Sequence, residues 1–435
     1  MIKKQLLRYI VPNIFAMLGI SFYVLADTFF ISLYEGADGI TALNLVLPVY
    51  GVIYAIGAMI GIGSATRYSL TKTIDKKQSE YFFPNAVIWS VIFSLIFVLA
   101  GVFFSENILE IMGADSSIKS IGTPYLRTVL MFTPFFMLNY SFTAFVRNDG
   151  SPNTAMAATI SSSLFNVLFD YILMFPLGMG MTGAALATGI SPIVSIAICL
   201  SHFFSKNNSV KFKFVVPSFS KLINACVLGV TAFVGEISGA VTTLVFNFII
   251  LGIAGNAGVA AYGVIANTAL VGTAVFNGVS QGLQPPVSEA QAKGREKDKK
   301  KIYLYSLLLS LFISAVIITL VLLYADVITN IFNSDNSESM FNYSVSGLKL
   351  YFLGFLPASV NIITAGFFSA AGMGRESSVL SLSRGIFAIT FFAFILSEVL
   401  GLTGVWLSFL ASETFTLLLV IFIFFINRKQ HCSEK

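Results

Sequence analysis

The sequence predicts an all-α integral membrane protein, with twelve transmembrane helices in two pseudo-symmetric six-helix lobes around a central cavity. Three observations predict it. Hydrophobic residues make up 56% of the 435 positions and charged ones only 11%, a balance foreign to soluble domains. Apolar runs of about 20 residues, enough to cross a hydrocarbon core of about 30 Å, recur along the whole chain between short polar loops. Two stretches of the front half also return in the rear half at nearly one offset, the mark of an internal duplication.

The first six helices are expected near 5–33, 40–68, 83–104, 122–146, 153–176 and 181–205, and the second six near 222–252, 258–288, 302–325, 344–371, 376–399 and 402–427. This divides the chain into a front lobe, 1–205, a polar linker, 206–221, and a rear lobe, 222–435. Helix one opens with Lys3, Lys4 and Arg8 and runs too long for a signal peptide, so it is expected to stay in the protein. Pro12, in its first half, removes a backbone hydrogen bond and allows a kink, either a moving hinge or a static bend. Helix eight ends at "QPPVSE" (284–289), where Pro285 and Pro286 break or bend it and Glu289 reaches the membrane surface. The three cysteines (Cys199, Cys226, Cys432) show no paired spacing, and the two histidines (His202, His431) form no cluster, so neither zinc nor haem is expected.

Basic residues set the orientation, because cytoplasmic loops retain Lys and Arg. With both termini inside, all of the 26 cations except Lys119, Arg127 and Lys349 fall on the cytoplasmic side or in the inner half of a helix. The inner loops read "TKTIDKK" (71–77), "KNNSVKFK" (206–213) and "KGREKDKKK" (293–301). The outer ones read "EGAD" (35–38) and "SDNSE" (334–338). The net charge of +5 is therefore a topology signal, and a nucleic-acid partner is not expected.

A shift of 219 residues lays "GADGITALNL" (36–45) over "GNAGVAAYGV" (255–264), matching Gly36 to Gly255, Gly39 to Gly258 and Ala42 to Ala261. A shift of 221 lays "MTGAALA" (181–187) over "LTGVWLS" (402–408). Two parallel repeats that face one another across a cavity are the construction of a secondary transporter.

Within this frame a few polar residues stand out. At a rise of about 1.5 Å per residue, Asp27 and Asp170 each lie about 9 Å inside the outer ends of helices one and five. By the same rise Thr188 lies about 10 Å inside helix six. Asn166 is one turn from Asp170 on the same face. Three helices thus place polar groups in one layer. Intramembrane acids are costly and generally functional. Two carboxylates in a low-dielectric pocket cannot both stay ionised cheaply, so the pair takes up a proton. Alternatively a sodium ion is held by Asp27 and Asp170, with the Asn166 carbonyl and the Thr188 hydroxyl completing an oxygen shell. Tyr23, one turn from Asp27, is placed to donate it a hydrogen bond. In the rear lobe Glu236 sits near mid-membrane with no cationic partner in sequence. Glu413 is equally deep, and Arg384 is placed either to pair with it structurally or to leave it free.

"LADTFF" (25–30), "NVLFDYIL" (166–173), "GMGMTGAALAT" (178–188) and "GMGRES" (372–377) resemble the multidrug and toxin extrusion (MATE) family, and the resemblance spans essentially the whole chain. It implies a cation-coupled antiporter of the cell membrane, driven by H+ or Na+, that expels amphipathic and often cationic drug-like compounds by alternating access. It also implies that Asp27, Asn166, Asp170 and Thr188 form the front-lobe cation site and that Tyr23 faces the drug pocket. Glu236 matches a glutamate that some members use for cation or substrate, and Pro12 matches a family proline. No cofactor beyond the coupling ion is implied, and a monomer is. The alternative is a related lipid-linked saccharide flippase, which would line its cavity with cations for a pyrophosphate, whereas the deep ionisable groups here are mainly acidic. A membrane enzyme would want a His or Cys beside an acid at one membrane face, and His202 has no such neighbour in sequence.

Overall fold

A computed structural model describes residues 2–205, 208–332 and 337–433. Residues 334–336 of the acidic "SDNSE" loop, the first two linker positions and the side chains of His431 and Cys432 lie outside the described set. The regular elements of the described residues are all helices, with no strand among them. In chain order the membrane-length elements are α1 (Leu6–Gly36), α2 (Asp38–Thr71), α3 (Phe82–Ile111), α4 (Ser116–Met131 and Thr133–Asn148), α5 (Pro152–Met174) and α6 (Gly180–Phe203). The rear half supplies α7 (Phe219–Gly255), α8 (Ala257–Ala292), α9 (Glu296–Phe332), α10 (Glu338–Ala370), α11 (Gly374–Leu400) and α12 (Leu402–Ile426). The predicted helices are all present, and most run a few residues further, because polar ends continue the helix beyond the apolar core. The molecule is a multi-pass membrane protein with twelve helices in two lobes, and large exposed apolar residues such as Phe22, Phe103, Phe312 and Phe391 clothe its outside.

Local chemistry explains the breaks. α1 and α2 would be one helix but for Gly36, and α7 and α8 one helix but for Gly255. Both glycines stand at positive φ (62° and 59°) with ψ near the extended range, a conformation that a Cβ makes unfavourable. These are the glycines matched by the 219-residue shift, so the repeat seen in the sequence is a repeat of the hairpin joining each lobe's first two helices. α4 bends by 46° at Phe132, where Pro134 cannot continue the hydrogen-bond ladder. α1 shows no break at Pro12. The one residue with non-helical dihedrals between Ile2 and Thr71 is Gly36. Pro12 is therefore accommodated inside a continuous helix, where α8 packs closely against the backbone of Tyr9 and Ile10.

The loops divide the ends of the helices into a basic face (71–77, 208–213, 293–301) and an opposite, more acidic face. Each lobe has its own core on the acidic side. Ile31, Tyr50, Tyr125, Leu126 and Met174 cluster in the front lobe, and Phe246, Phe352, Phe355 and Trp406 in the rear. Toward the basic face the cores cross the boundary between lobes. Leu222 of α7 packs with Tyr68, Phe83 and Phe145 of the front lobe, and Leu6 and Ile10 of α1 pack with Val279, Leu283 and Val287 of α8. Two small-residue crossings close this end. A Cβ on Gly229 (α7) would stand 2.1 Å from the Met59 carbonyl oxygen (α2), and one on Gly282 (α8) would stand 2.6 Å from the Ile10 Cα (α1).

The linker is not a loose tether. α7 begins at Phe219, inside the predicted linker, and the preceding segment is fastened to the front lobe. Val210 is buried, the Ser218 N–H donates to Asn85 Oδ1 at 2.8 Å, and Lys213 pairs with Glu80 at 2.6 Å. The anchor is Asp149, in the turn after α4. Its Oδ1 accepts from the Tyr68 hydroxyl (2.8 Å) and Lys72 (2.6 Å), and its Oδ2 contacts His202 Nε2 (3.0 Å) and accepts from the Ser209 N–H (2.7 Å). Burial pushes the Asp149 carboxyl up, but the bonds from His202, Lys72 and Ser209 outweigh it and hold the carboxyl well below the usual range. A carboxylate whose folded pKa is depressed adds stability that is complete above the ordinary carboxylate range, near pH 4, and is lost as pH falls through that range toward the lower folded value. Asp149→Asn is expected to cost about 3 kcal/mol at pH 7. In paired melts of the detergent-solubilised proteins, the gap between variant and wild type should hold from pH 7 to pH 5 and narrow only below about pH 4.

Candidate functional site

The four residues singled out in the front lobe come together. Asp27 lies nine residues before the end of α1 at Gly36, Asp170 four before the end of α5, and Thr188 eight after the start of α6. These are depths of about 14, 6 and 12 Å along their helices. All four side chains are buried, Asp27 at 8% exposure, Thr188 at 5%, and Asn166 and Asp170 at 0%. Asn166 and Asp170 share one face of α5, since residues four apart are neighbours. The Asn166 amide donates to the Thr188 hydroxyl at 3.0 Å, which ties α5 to α6 and leaves the Asn166 carbonyl oxygen free. The carboxyl groups of Asp27 and Asp170 lie close enough to interact directly.

The accounting of donors is the telling feature. Asp27 Oδ1, both oxygens of Asp170 and Asn166 Oδ1 are buried without a hydrogen-bond donor. Buried acceptors are seldom left so, and two carboxylates cannot satisfy each other unless something positive lies between them. The cluster therefore fits a proton or a small hard cation, for which carboxylate and amide oxygens are suitable ligands.

Tyrosines surround it that sequence reasoning missed. Tyr50 and Tyr125 meet hydroxyl to hydroxyl at 3.3 Å, deep in the front-lobe core. Tyr23 lies close enough to both Tyr54 and Asp27 to interact with them, and no hydrogen bond joins it to Asp27 among the described residues. Tyr54 in turn stacks obliquely toward Tyr140, with ring centroids 6.1 Å apart. Tyr140 crosses to the rear lobe, where its hydroxyl donates to Glu236 Oε1 at 2.9 Å. A file of hydroxyls and rings thus runs from the neighbourhood of the acid pair to the lone acid of α7. Tyr50 and Tyr54 stand one turn apart in "VYGVIY" (49–54), the one trace of this file in the sequence.

In the rear lobe the structural alternative for Glu413 is the one observed. Arg384 Nη2 donates to Glu413 Oε1 at 2.6 Å and Nε to Oε2 at 3.3 Å, while the Asn361 amide donates to Oε2 at 2.7 Å. A one-turn π-helix over Ser383–Phe387 widens α11 at Arg384, the side chain it presents to α12. Glu289, at the basic face, pairs with Lys293 one turn on.

His202, which has no acid beside it in sequence, meets Asp149 in the fold from 53 positions away. Both partners are buried and both Asp149 oxygens are engaged, so the pair anchors the linker and offers no nucleophile.

Comparison with known proteins agrees with this architecture. The MatE family model matches residues 12–172 and 232–395. A multidrug export protein, MepA of Staphylococcus haemolyticus (strain JCSC1435), is 28% identical over 437 residues, covering 99% of this chain and 95% of that protein. MepA of Staphylococcus aureus (strain MRSA252) is 26% identical over 430 residues, with 98% and 94% covered. Among solved structures, an outward-facing conformation of a multidrug resistance MATE family transporter of the MOP superfamily superposes with a TM-score of 0.88 at 22% identity, over 100% of this chain and 97% of that one. That likeness is one of fold.

Proposed function

This chain belongs to the MatE family of transporters, and we propose that it is a multidrug efflux antiporter of the cell membrane, coupled to H+ or Na+. The observation that carries the coupling is the set of donorless buried oxygens on Asp27, Asn166 and Asp170. With the positive-inside rule, the basic face and both termini are cytoplasmic. The crossings at Gly229 and Gly282 then close the inner end, and this conformation opens outward. From outside, a cation enters the acid pair, neutralises it and releases the bound drug. Once neutral, the site can traverse the low-dielectric inner half of the cycle at little electrostatic cost. On the inside the cation leaves, and the restored negative charge favours a new cationic cargo. Asp27 and Asp170 hold the cation, the Asn166 carbonyl and Thr188 hydroxyl complete its shell, and Glu236 with Tyr23 and Tyr140 meets the cargo. The tyrosine rings suit flat, positively charged amphiphiles. The protein works as a single chain, since each half supplies its own part of the cavity.

Proteoliposomes loaded with a fluorescent cation test this, with pH and sodium gradients imposed separately. Efflux should follow one of the two gradients, and efflux indifferent to both would refute the coupling. In the same vesicles Glu236→Gln should weaken apparent affinity for a monovalent cationic dye by about tenfold, the worth of one partly screened charge. Affinity for a neutral cargo of similar shape should change little.

A further inference from the structure

Arg147, at the basic end of α4, is 5% exposed, and no carboxylate pairs with it among the described residues. Its Nη1 donates to Asn13 Oδ1 on α1 at 3.0 Å and to Gln281 Oε1 on α8 at 2.6 Å, while its Nε is buried without a partner. The acid nearest in sequence, Asp149, is already shared among Tyr68, Lys72, His202 and Ser209. Asn13 is held in place by donating its own amide to the Tyr9 carbonyl at 2.7 Å. Both acceptors therefore offer oxygen and no negative charge.

The location is as specific as the chemistry. Asn13 adjoins Ile14, whose backbone a Cβ on Gly278 would strike, and Gln281 adjoins Gly282, which lies against Ile10. Arg147 thus spans the seam where α1 of the front lobe and α8 of the rear lobe close. It is not duplicated. Matching the positive-φ glycines that follow α4 and α10, Gly150 and Gly372, puts Ser369 in the corresponding place. Its hydroxyl donates to Leu228 within the rear lobe.

A buried guanidinium with neutral partners only is an expensive thing to keep. Its expense falls on the closed seam alone, because parting α1 from α8 admits water to it. Its field is also one that turns cations away, as fixed positive groups do in pores that pass neutral solutes but exclude protons. We propose that Arg147 is the cation barrier of the inner gate. It bridges the two lobes when the gate is shut and keeps protons, metal cations and cationic cargo from slipping through the seam. The inference rests on the orientation proposed above, but its test needs neither drug nor coupling, so the two can fail separately.

The test measures passive leak in vesicles containing the full-length protein, without drug, using a trapped pH dye, a trapped sodium dye and a chloride dye. Arg147→Gln should raise proton or sodium entry by about tenfold or more and leave chloride entry unchanged, as loss of one charge from a low-dielectric seam requires. Arg147→Lys should stay tight. Gln281→Glu keeps the arginine and the shape of the seam but neutralises the charge, so it should leak cations as Arg147→Gln does, and it serves if that variant fails to fold. Cation entry at the wild-type rate in both neutralised proteins would overturn the proposal. So would a parallel rise in chloride entry, which reports a loosened seam, or a leak in Arg147→Lys as large as in Arg147→Gln.

Discussion

Asp170→Asn is expected to abolish gradient-driven efflux while leaving the protein folded, and indeed harder to unfold. The substitution preserves shape and removes one negative charge from a wholly buried position facing a second acid. Two unit charges about 4 Å apart interact by about 4 kcal/mol at an effective dielectric of about 20, and each 1.4 kcal/mol is worth a factor of ten. The coupled rate should therefore fall by at least about 100-fold, once part of that energy is assigned to screening within the cavity. Asp27→Asn should behave alike. The stability readout separates this reading from a structural one. A carboxylate that merely bonded neighbouring helices would destabilise the protein when replaced, whereas relief of a buried like-charge contact raises the melting temperature. Retained coupling in both variants, measured as efflux of a fluorescent cation from vesicles, would remove the acid pair from the mechanism.

Glu413→Leu should have the largest effect on stability. Glu413 is buried, and it receives two bonds from Arg384 and one from the Asn361 amide. Removing it leaves a guanidinium only 17% exposed with no counter-charge, a change that typically costs about 3–5 kcal/mol. The double variant Arg384→Leu, Glu413→Leu removes both charges and should recover most of that loss, because desolvating the pair offsets much of its attraction. Thermal melts of the three proteins in detergent, with gel filtration to score folding, decide the matter. A double variant no better than the single one would mean that the pair also fixes the geometry of α11 and α12.

The helices were legible because a bilayer imposes one length on every crossing, and the polar loops between the apolar runs are short. The duplication was legible at Gly36 and Gly255 because only glycine readily holds a positive φ there, so the residue type is fixed by the backbone. Asp27 and Asp170 stood out as charges inside apolar runs, and the fold places them face to face. Tyr54 and Tyr140 did not stand out, because 16 Tyr and 43 Phe give no contrast. The His202–Asp149 pair was hidden by its separation of 53 positions. Arg147 reads in the sequence as one more inner cation, since nothing local shows that the turn beyond it consumes the adjacent carboxylate. Pro12 does not break its helix, because a proline can be carried with helical dihedrals on both sides, and α8 packs closely against α1 beside it.

The fastened linker carries a mechanical consequence. From Ser209 to Ser218 the segment is riveted to the front lobe through Asp149, Glu80 and Asn85, and it hands over directly to the first turn of α7. Any swing of one lobe against the other then finds no slack in this strap and must be taken up beyond it, within α7, with the front half and its strap as stator and the rear half as rotor. A probe at Lys213 should report on the front half throughout the stroke.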